Sequence, residues 1–188
     1  MNKKIIGLTG MSGAGKSTAS EFLKTHGFCV IDCDKVANET IARSPCTDRV
    51  RVAFPEIITD GKFDRKKAAE VLFTSPIKLE QYQKIVFPYV IYSVIRFIKT
   101  SSSEKVLLDA PTLFQSGADD LCDEIIAVVA ARKTCVERIM KRDCISKRAA
   151  LMRLDNQPNE MFFRENAVHV IENNESKDAL AEKIRGII

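Results

Sequence analysis

Short apolar runs alternate with stretches of helical spacing near the start of the chain. Residues 3–10 (KKIIGLTG) form an apolar run that ends on glycine, which predicts a buried parallel strand. Residues 16–27 have helical spacing, and Gly27 predicts the end of that helix. Residues 28–32 and 33–43 repeat the strand and the helix. This rhythm predicts an α/β fold with a parallel sheet.

Three later apolar runs, at residues 105–111, 123–131 and 167–174, predict the remaining strands. Residues 176–188 predict a closing amphipathic helix that begins at a serine cap. Together these patterns predict a three-layer sandwich around a five-stranded parallel sheet.

The alternation of predicted strands and helices stops in the middle of the chain. Residues 64–73 and 78–99 have helical spacing, and Pro88 predicts a kink or a division in the second helix. We interpret residues 45–103 as a helical insertion, which leaves a core made of two segments. The two core segments are residues 1–44 and 104–188.

Composition and charge narrow the class of protein. The 188 residues suit one domain with a small insertion, and a net charge of +4 is compatible with anionic small molecules without requiring nucleic acid. No apolar run approaches the roughly 18 positions of a membrane span, and the amino-terminal run enters glycine too early for a secretory signal. The six cysteines contain no CxxC pair, which favours buried thiols in a reducing compartment over a zinc site. We therefore expect a cytoplasmic protein, either a monomer or a small homo-oligomer.

The segment GMSGAGKS matches the phosphate-loop pattern G-x-x-x-x-G-K-[ST] at every defining position. Glycines let backbone amides surround phosphate oxygens, and the helix that follows favours an anion at its amino terminus. The lysine can reach the β- and γ-phosphates of ATP, and the serine hydroxyl can bind Mg²⁺. The expected nucleotide contacts are Gly10, Ser12, Gly13, Ala14, Gly15, Lys16, Ser17 and Thr18, with Ser17 also on the metal.

Carboxylates follow two of the predicted strands. Asp32 and Asp34 come at the end of the second strand, where ligands gather in open α/β sheets. Asp34 is either a general base for an attacking hydroxyl or the N-cap of the next helix. Asp109 ends another strand, where it is either a group near Mg²⁺ and the substrate or a strand-end cap.

Basic and aromatic residues supply further candidates. Arg138 and Arg142 lie four apart in a basic helical stretch, residues 132–156, that is either a mobile lid over phosphates or a solvated face. Arg65 either meets an acidic group of the substrate or pairs with Asp64 or Glu70. Phe87 lies in an aromatic set that is more often core than a ligand site.

The ordered combination of these segments resembles the dephospho-CoA kinase family along nearly the whole chain. The segments that carry the resemblance are IIGLTGMSGAGKST, VIDCDKVA, DGKFDRKKAAEVLF, LLDAPTLFQSG, CDEIIAVVAARKTCVERIMKRD, LDNQ and VIENN. The resemblance implies a P-loop kinase core, a CoA-binding insertion and a lid. It also implies phosphorylation of the ribose 3′-hydroxyl of dephospho-CoA by ATP.

The resemblance further implies roles for individual residues. Asp34 would be the base on the 3′-hydroxyl, Lys16 and Arg142 would stabilise the transferred phosphoryl, and Asn173 would approach the adenine of ATP. The chain departs from the family pattern at three places, with Phe87 for histidine, Gln115 for glutamate and Val168 for aspartate. The residues named here for substrate binding are Asp34, Arg65, Phe87 and Asp109.

Two other functions remain open at this level. One is a P-loop kinase that acts on a nucleoside, a nucleotide or shikimate. The other is a nucleotide-binding module without catalysis, although the chain lacks the Asn-Lys-x-Asp signature for guanine. We expect ATP and dephospho-CoA as ligands, and neither nucleic acid nor a membrane as partner.

Overall fold

The computed structural model describes residues 3–188, so residues 1 and 2 of the predicted core lie outside the described part. The strands are β1 (Lys4–Gly10), β2 (Cys29–Asp32), β3 (Ile58–Thr59), β4 (Lys62–Phe63), β5 (Lys105–Asp109), β6 (Glu124–Val129) and β7 (His169–Glu172). The α-helices are α1 (Lys16–Thr25), α2 (Cys33–Ile41), α3 (Cys46–Ala53), α4 (Arg65–Leu72), α5 (Pro76–Thr100), α6 (Leu113–Ser116), α7 (Arg132–Asp143), α8 (Lys147–Asp155), α9 (Glu160–Asn166) and α10 (Lys177–Arg185).

The predicted α/β fold with a five-stranded parallel sheet is confirmed. The strand order is β2-β5-β1-β6-β7, and β1 pairs in parallel with β5 on one side and β6 on the other. Ile6, Leu8, Leu107 and Val128 are fully buried in these central strands. Each such side chain stabilises the fold by about 1.5–3 kcal/mol. The phosphate loop therefore begins at the end of a strand that is held on both edges.

The chain forms two compact units. The first contains the residues up to Val30, Ser102–Leu113 and Ala118–Ile188, and so holds the phosphate loop. The second contains Ile31–Ser101 and Phe114–Gly117, and so holds α2 to α5. The predicted CoA-binding role of the insertion stays a prediction.

Helix α5 is continuous, so of the two effects predicted for Pro88 the division is wrong, and the kink stays a prediction. Proline removes one amide donor from the helix, but α5 runs for 25 residues through that position. Buried residues on both sides of it, Val86, Val90, Val94 and Ile98, recur every four residues. Their shared face packs against α2, α3 and α4, which outweighs the missing hydrogen bond.

A small hairpin interrupts the insertion that was expected to be helical. Strands β3 and β4 pair antiparallel through a turn at Asp60 and Gly61. Both turn residues have positive φ values, 50° and 76°, as the two-residue turns of hairpins require. The Asp-Gly dipeptide was the available sequence signal for this turn.

The basic stretch at residues 132–156 forms two helices. Helix α7 ends before Cys144, whose φ of 53° is left-handed, and Ser146 then caps α8 by accepting a hydrogen bond from the Ala149 amide. No helix among residues 3–188 combines the length and the apolar run that crossing a membrane requires.

Candidate active site

The phosphate loop has a backbone that strongly favours glycine at two of its positions. Gly13 and Gly15 have φ values of 79° and 107°. A Cβ on Gly13 would lie 2.6 Å from the carbonyl oxygen of Cys135, and one on Gly15 would overlap the Asn173 amide. Gly15 is also the N-cap of α1, where no side chain accepts a hydrogen bond from the first amides. The positive end of α1 is thus left for a ligand.

The carbonyl groups of the loop are held from one side. The Asn173 Nδ2 donates to the Ala14 carbonyl at 2.7 Å, and an Arg138 guanidinium nitrogen donates to the same oxygen at 3.3 Å. The same nitrogen also donates to the Asn173 carbonyl at 3.0 Å. Because a trans peptide carries its N–H opposite its C=O, these contacts turn the Gly15 amide away from Arg138 and Asn173.

A third side chain contacts the loop from the segment after α8. The Ser12 amide donates to the Gln157 Oε1 at 3.1 Å. The Gln157 Nε2 is buried and has no hydrogen-bond partner among residues 3–188. Gln157 therefore connects the end of the predicted lid to the phosphate loop.

Lys16 and Asp109 form an ion pair beside the loop. Their side chains are only 20% and 16% exposed. The pairing follows from the sheet, because Asp109 is aligned with Leu8 where β5 runs beside β1. Because Asp109 pairs with the phosphate-loop lysine, it is more than a cap at the end of β5. The predicted role of Asp109 near the metal and the substrate stays a prediction.

Oxygen donors suitable for Mg²⁺ lie at this end of the sheet. Ser17 is exposed in the first turn of α1, and Asp109 provides a carboxylate next to Lys16. Hydroxyl and carboxylate oxygens, together with water and phosphate, are the ligands that Mg²⁺ prefers. Within the described residues, no group of three or more His, Cys, Asp or Glu is arranged to hold a metal ion. The donor set therefore fits a metal that arrives with its nucleotide.

The two arginines of the predicted lid have different contacts. Arg138 reaches main-chain carbonyls of the loop, as described above. The Arg142 Nε and terminal nitrogen instead donate to the two Asp143 oxygens at 2.8 and 2.9 Å, and Arg153 also pairs with Asp143. The Arg142 hydrogen bonds lower the pKa of Asp143 to about 2, and the Asp143 hydrogen bonds raise the pKa of Arg142.

Asn173 is 7% exposed, which is unusual for an amide side chain. Its side chain is engaged by the Ala14 carbonyl, and its own amide donates to the Val129 carbonyl at 2.8 Å. The predicted approach of Asn173 to adenine stays a prediction. What the structure does place there is a support for the phosphate loop.

The second compact unit carries the predicted base. Asp32, and not Asp34, accepts the capping hydrogen bond of α2, from the Lys35 amide at 2.9 Å. Asp34 lies exposed in the first turn of that helix. Asp32 is therefore the N-cap of α2, and the alternative prediction that Asp34 caps this helix is wrong.

Asp34 borders an open cavity of about 600 Å³, which we call the acceptor cavity. Its lining residues are Asp32, Asp34, Lys35, Asn38, Glu39, Ala42, Arg43 and Arg65. Among residues 3–188, the side chains of Lys35, Arg43 and Arg65 have no ion pair, so the predicted pairing of Arg65 with Asp64 or Glu70 is not formed. Phe87 is half-buried on α5 and does not line this cavity. The lining thus carries three cations without an ion pair and three carboxylates, which offers donors for an anionic group and acceptors for a hydroxyl group.

Several residues of these two sites were not singled out in the sequence. Lys35 and Glu39 are four residues apart, a helical spacing that indicates one face of α2, and Arg43 follows the end of that helix. Gln157 is the last residue of LDNQ, one of the segments that carry the family resemblance, but the sequence assigned it no role. Asp143 had no distinguishing sequence signal beyond its position next to Arg142.

Comparison with known proteins identifies the family. The family model for dephospho-CoA kinase matches residues 4–178. The dephospho-CoA kinase of Fusobacterium nucleatum is 35% identical over 187 residues, covering 98% of this chain and 96% of the relative. That of Arabidopsis thaliana is 31% identical over 191 residues, covering 98% of this chain and 82% of the relative.

Solved structures agree on the fold. The crystal structure of TT1252 from Thermus thermophilus matches with a TM-score of 0.86 and 29% identity, covering 100% of this chain and 97% of that one. The dephospho-CoA kinase from Campylobacter jejuni matches with a TM-score of 0.61 and 21% identity, covering 98% and 95%, and so supports the fold alone. The family model and the relatives together show that this chain belongs to the dephospho-CoA kinase family.

Proposed function

We propose that this chain transfers the γ-phosphoryl group of ATP to the ribose 3′-hydroxyl of dephospho-CoA, which gives coenzyme A and ADP in the last step of coenzyme A synthesis. The observation that carries the proposal is the phosphate loop, whose glycines, helix terminus and Lys16–Asp109 pair suit a polyphosphate. Membership of a kinase family supports the same reaction.

The first compact unit provides the nucleotide site in this proposal. The amides at the start of α1 bind phosphate oxygens, and Lys16 adds positive charge at the transferred group. Mg²⁺, when bound, neutralises charge on the phosphates, and Ser17 and Asp109 would hold it. Arg142 adds further charge where the transition state carries its negative oxygens. An arginine in that role contributes roughly 10³–10⁵ in rate.

The second compact unit provides the acceptor site. Asp34 accepts the proton of the attacking 3′-hydroxyl, a step that contributes roughly 10²–10⁴ in rate. Lys35, Arg43 and Arg65 carry charges with no ion pair among residues 3–188, and they would bind the diphosphate of the acceptor.

The test is ADP release from ATP and Mg²⁺ with dephospho-CoA as the acceptor. We expect Asp34→Asn to lower kcat by roughly 10²–10⁴ while it leaves ATP affinity unchanged, because the amide keeps the shape and loses the base. Asp120→Asn, at an exposed carboxylate in the first unit, is the matched control and should keep wild-type turnover.

Two results would contradict the proposal. Turnover by Asp34→Asn within about tenfold of wild type would remove the base from the mechanism. ATP binding by the wild type without phosphorylation of dephospho-CoA would favour a nucleotide-binding module, and turnover with another nucleoside, a nucleotide or shikimate would favour a different small-molecule kinase.

We also propose that the enzyme is cytoplasmic and acts as a monomer or a small homo-oligomer. All six cysteines are free thiols, as a reducing compartment favours. Sedimentation at enzyme concentrations used for turnover would measure the oligomeric state directly.

A further inference from the structure

The side chain of Gln157 carries a donor that the proposed mechanism does not use. Its Oε1 accepts a hydrogen bond from the Ser12 amide at 3.1 Å, whereas its Nε2 is buried and has no hydrogen-bond partner within residues 3–188. Buried polar groups nearly always have partners, so an exception beside a ligand site points to a partner that the ligand supplies. Because an amide NH₂ group can only donate, the missing partner is an acceptor.

The contact with Ser12 fixes which way the carboxamide of Gln157 faces. A backbone N–H is a donor, so it requires Oε1 and not Nε2 opposite it. The two atoms of the carboxamide are about 2.3 Å apart, which puts Nε2 within about 5.5 Å of the Ser12 nitrogen. The donor without a partner therefore lies beside the first half of the phosphate loop.

The short link between α8 and α9 holds the backbone of Gln157 in place. Pro158 follows directly, and its ring fixes the φ angle of the chain there. Asn159 then caps α9 with its side chain. Leu154 on α8 and Phe163 on α9 are buried, at 4% and 2% exposure, and anchor the two helices. Gln157 is thus positioned by packing on both sides, as a group that must meet a ligand in a defined geometry requires.

The γ-phosphate of ATP is the acceptor that suits this donor. In a loop of this kind, backbone amides surround the inner phosphates, and the lysine reaches the outer ones. The γ-phosphate extends beyond the amides, so its oxygens need donors from other segments of the chain. Gln157 is such a donor, because it comes from a segment outside the loop and is hydrogen-bonded to the loop.

We propose that the carboxamide of Gln157 bridges the Ser12 amide and the γ-phosphoryl group of ATP, with Nε2 donating to a γ-phosphate oxygen. This inference rests on the proposed function and adds to it a residue that distinguishes ATP from ADP. The donor is held in place before the reaction, so it also stabilises the negative charge of the transferred group without reorganisation.

Affinities for two nucleotides test the bridge. Gln157→Met keeps the length of the side chain and removes its donor and its acceptor. Calorimetry with Mg²⁺ present gives the dissociation constants of wild type and variant for ADP and for the β,γ-imido analogue of ATP. The ratio of the analogue constant to the ADP constant should rise roughly 10- to 100-fold, the value of one hydrogen bond to a charged group. Gln81→Met, at an exposed glutamine of α5, is the matched control and should leave the ratio unchanged.

Two outcomes of this experiment would overturn the proposal. An equal loss of affinity for both nucleotides would mean that Gln157 only holds the Ser12 peptide. Unchanged affinities would mean that its carboxamide contributes to neither. Because no acceptor substrate is present, the readout does not depend on phosphoryl transfer to dephospho-CoA. The bridge can therefore fail while the proposed kinase activity holds, and the reverse.

A measurement on the wild type keeps the proposal testable if Gln157→Met does not fold. The Nε2 protons of Gln157 give side-chain signals in proton–nitrogen correlation spectra, which can be assigned through bonds. One of these signals should move downfield when the imido analogue and Mg²⁺ bind, and much less when ADP binds, because a hydrogen bond to an anionic oxygen deshields the proton. Equal shifts with both nucleotides, or no shift with either, would place the γ-phosphate out of reach of Gln157.

Discussion

The phosphate loop and the acceptor cavity satisfy their polar groups in different ways. In the loop, Arg138 and Asn173 donate to the Ala14 carbonyl and Gln157 accepts from the Ser12 amide, while the first amides of α1 have no side-chain partner. The cations of the acceptor cavity have no ion pair among residues 3–188. Ordering a long side chain on binding costs about 0.5–1.5 kcal/mol. The proposed nucleotide site is therefore held in place before any ligand binds, whereas the proposed acceptor site would order its cations when the acceptor binds.

Among the changes that test this comparison, removal of the phosphate-loop lysine should have the largest effect. Lys16→Met keeps much of the volume but removes the charge at the transferred phosphoryl and leaves Asp109 without its partner. One lost donor to a transition-state oxygen costs roughly 10²–10³ in rate. We expect kcat to fall by at least that factor in a steady-state assay of ADP release.

Lys24→Met, at an exposed lysine near the end of the same helix, is the control and should behave as wild type. A fall in kcat smaller than about tenfold for Lys16→Met would show that the loop lysine does not act on the transferred group.

Substitution of Gly13 should distort the backbone of the phosphate loop. Gly13→Ala adds backbone strain and a contact with the Cys135 carbonyl, so ATP affinity should fall more than tenfold and the melting temperature should drop. Gly117→Ala is a matched control, since its φ of 74° is similar and nothing lies within 4 Å of its added Cβ. Strain alone costs about 1–3 kcal/mol.

Calorimetric ATP titration and thermal unfolding of both variants separate the effect of backbone strain from that of the contact with the Cys135 carbonyl. Gly117→Ala should lower only the melting temperature. Normal ATP affinity in Gly13→Ala would mean that the loop adjusts on binding, contrary to a preformed site.

The acceptor cavity should respond through the acceptor alone. Arg65→Ala removes a cation that lines the cavity and should raise KM for dephospho-CoA by about 10- to 100-fold, the value of one charge-assisted hydrogen bond. KM for ATP should stay unchanged. Lys67→Ala on the same helix, outside the cavity, should leave both constants unchanged. If Arg65→Ala raised KM for ATP as much as KM for dephospho-CoA, the assignment of separate ATP and acceptor sites would be contradicted.

The smallest effect is expected at Asp143, which holds the guanidinium of Arg142. Asp143→Asn removes the charge but keeps one acceptor oxygen, so we expect kcat to fall only severalfold. The pKa of Asp143 is lowered to about 2, so its contribution to stability is complete above about pH 4 and is lost as pH falls toward 2. The pH profiles of kcat for wild type and variant should therefore be parallel between pH 5 and 9.

Asp155→Asn, at a carboxylate that pairs with Arg132, is the control for loss of an exposed ion pair and should leave kcat unchanged. Profiles of Asp143→Asn and wild type that converge within pH 5–9 would contradict the assigned pKa direction.

How far the sequence predicts this molecule depends on the range of the interactions. The parallel sheet and the phosphate loop were predictable, because buried runs and the Gly13–Gly15–Lys16 spacing are local signals. The continuity of α5 through Pro88 was not, since it follows from burial of Val90 and its neighbours against other helices.

Within the sites, the missing information was long-range contact. The sequence could not show that Arg138 faces loop carbonyls 124 and 125 residues away in the chain, or that Gln157 contacts the Ser12 amide. The assignment of the α2 cap to Asp32 in place of Asp34 depended on a two-residue difference in where the helix begins, which local patterns do not fix.

The central claim is that this chain phosphorylates the ribose 3′-hydroxyl of dephospho-CoA. Phosphorus NMR of the product formed from ATP, Mg²⁺ and dephospho-CoA tests it most directly. The account predicts a new monoester signal coupled to the ribose 3′-proton, with the acceptor's diphosphate signals retained and one ADP released per monoester formed. ADP release with no new monoester, or a monoester at any other position, would contradict it.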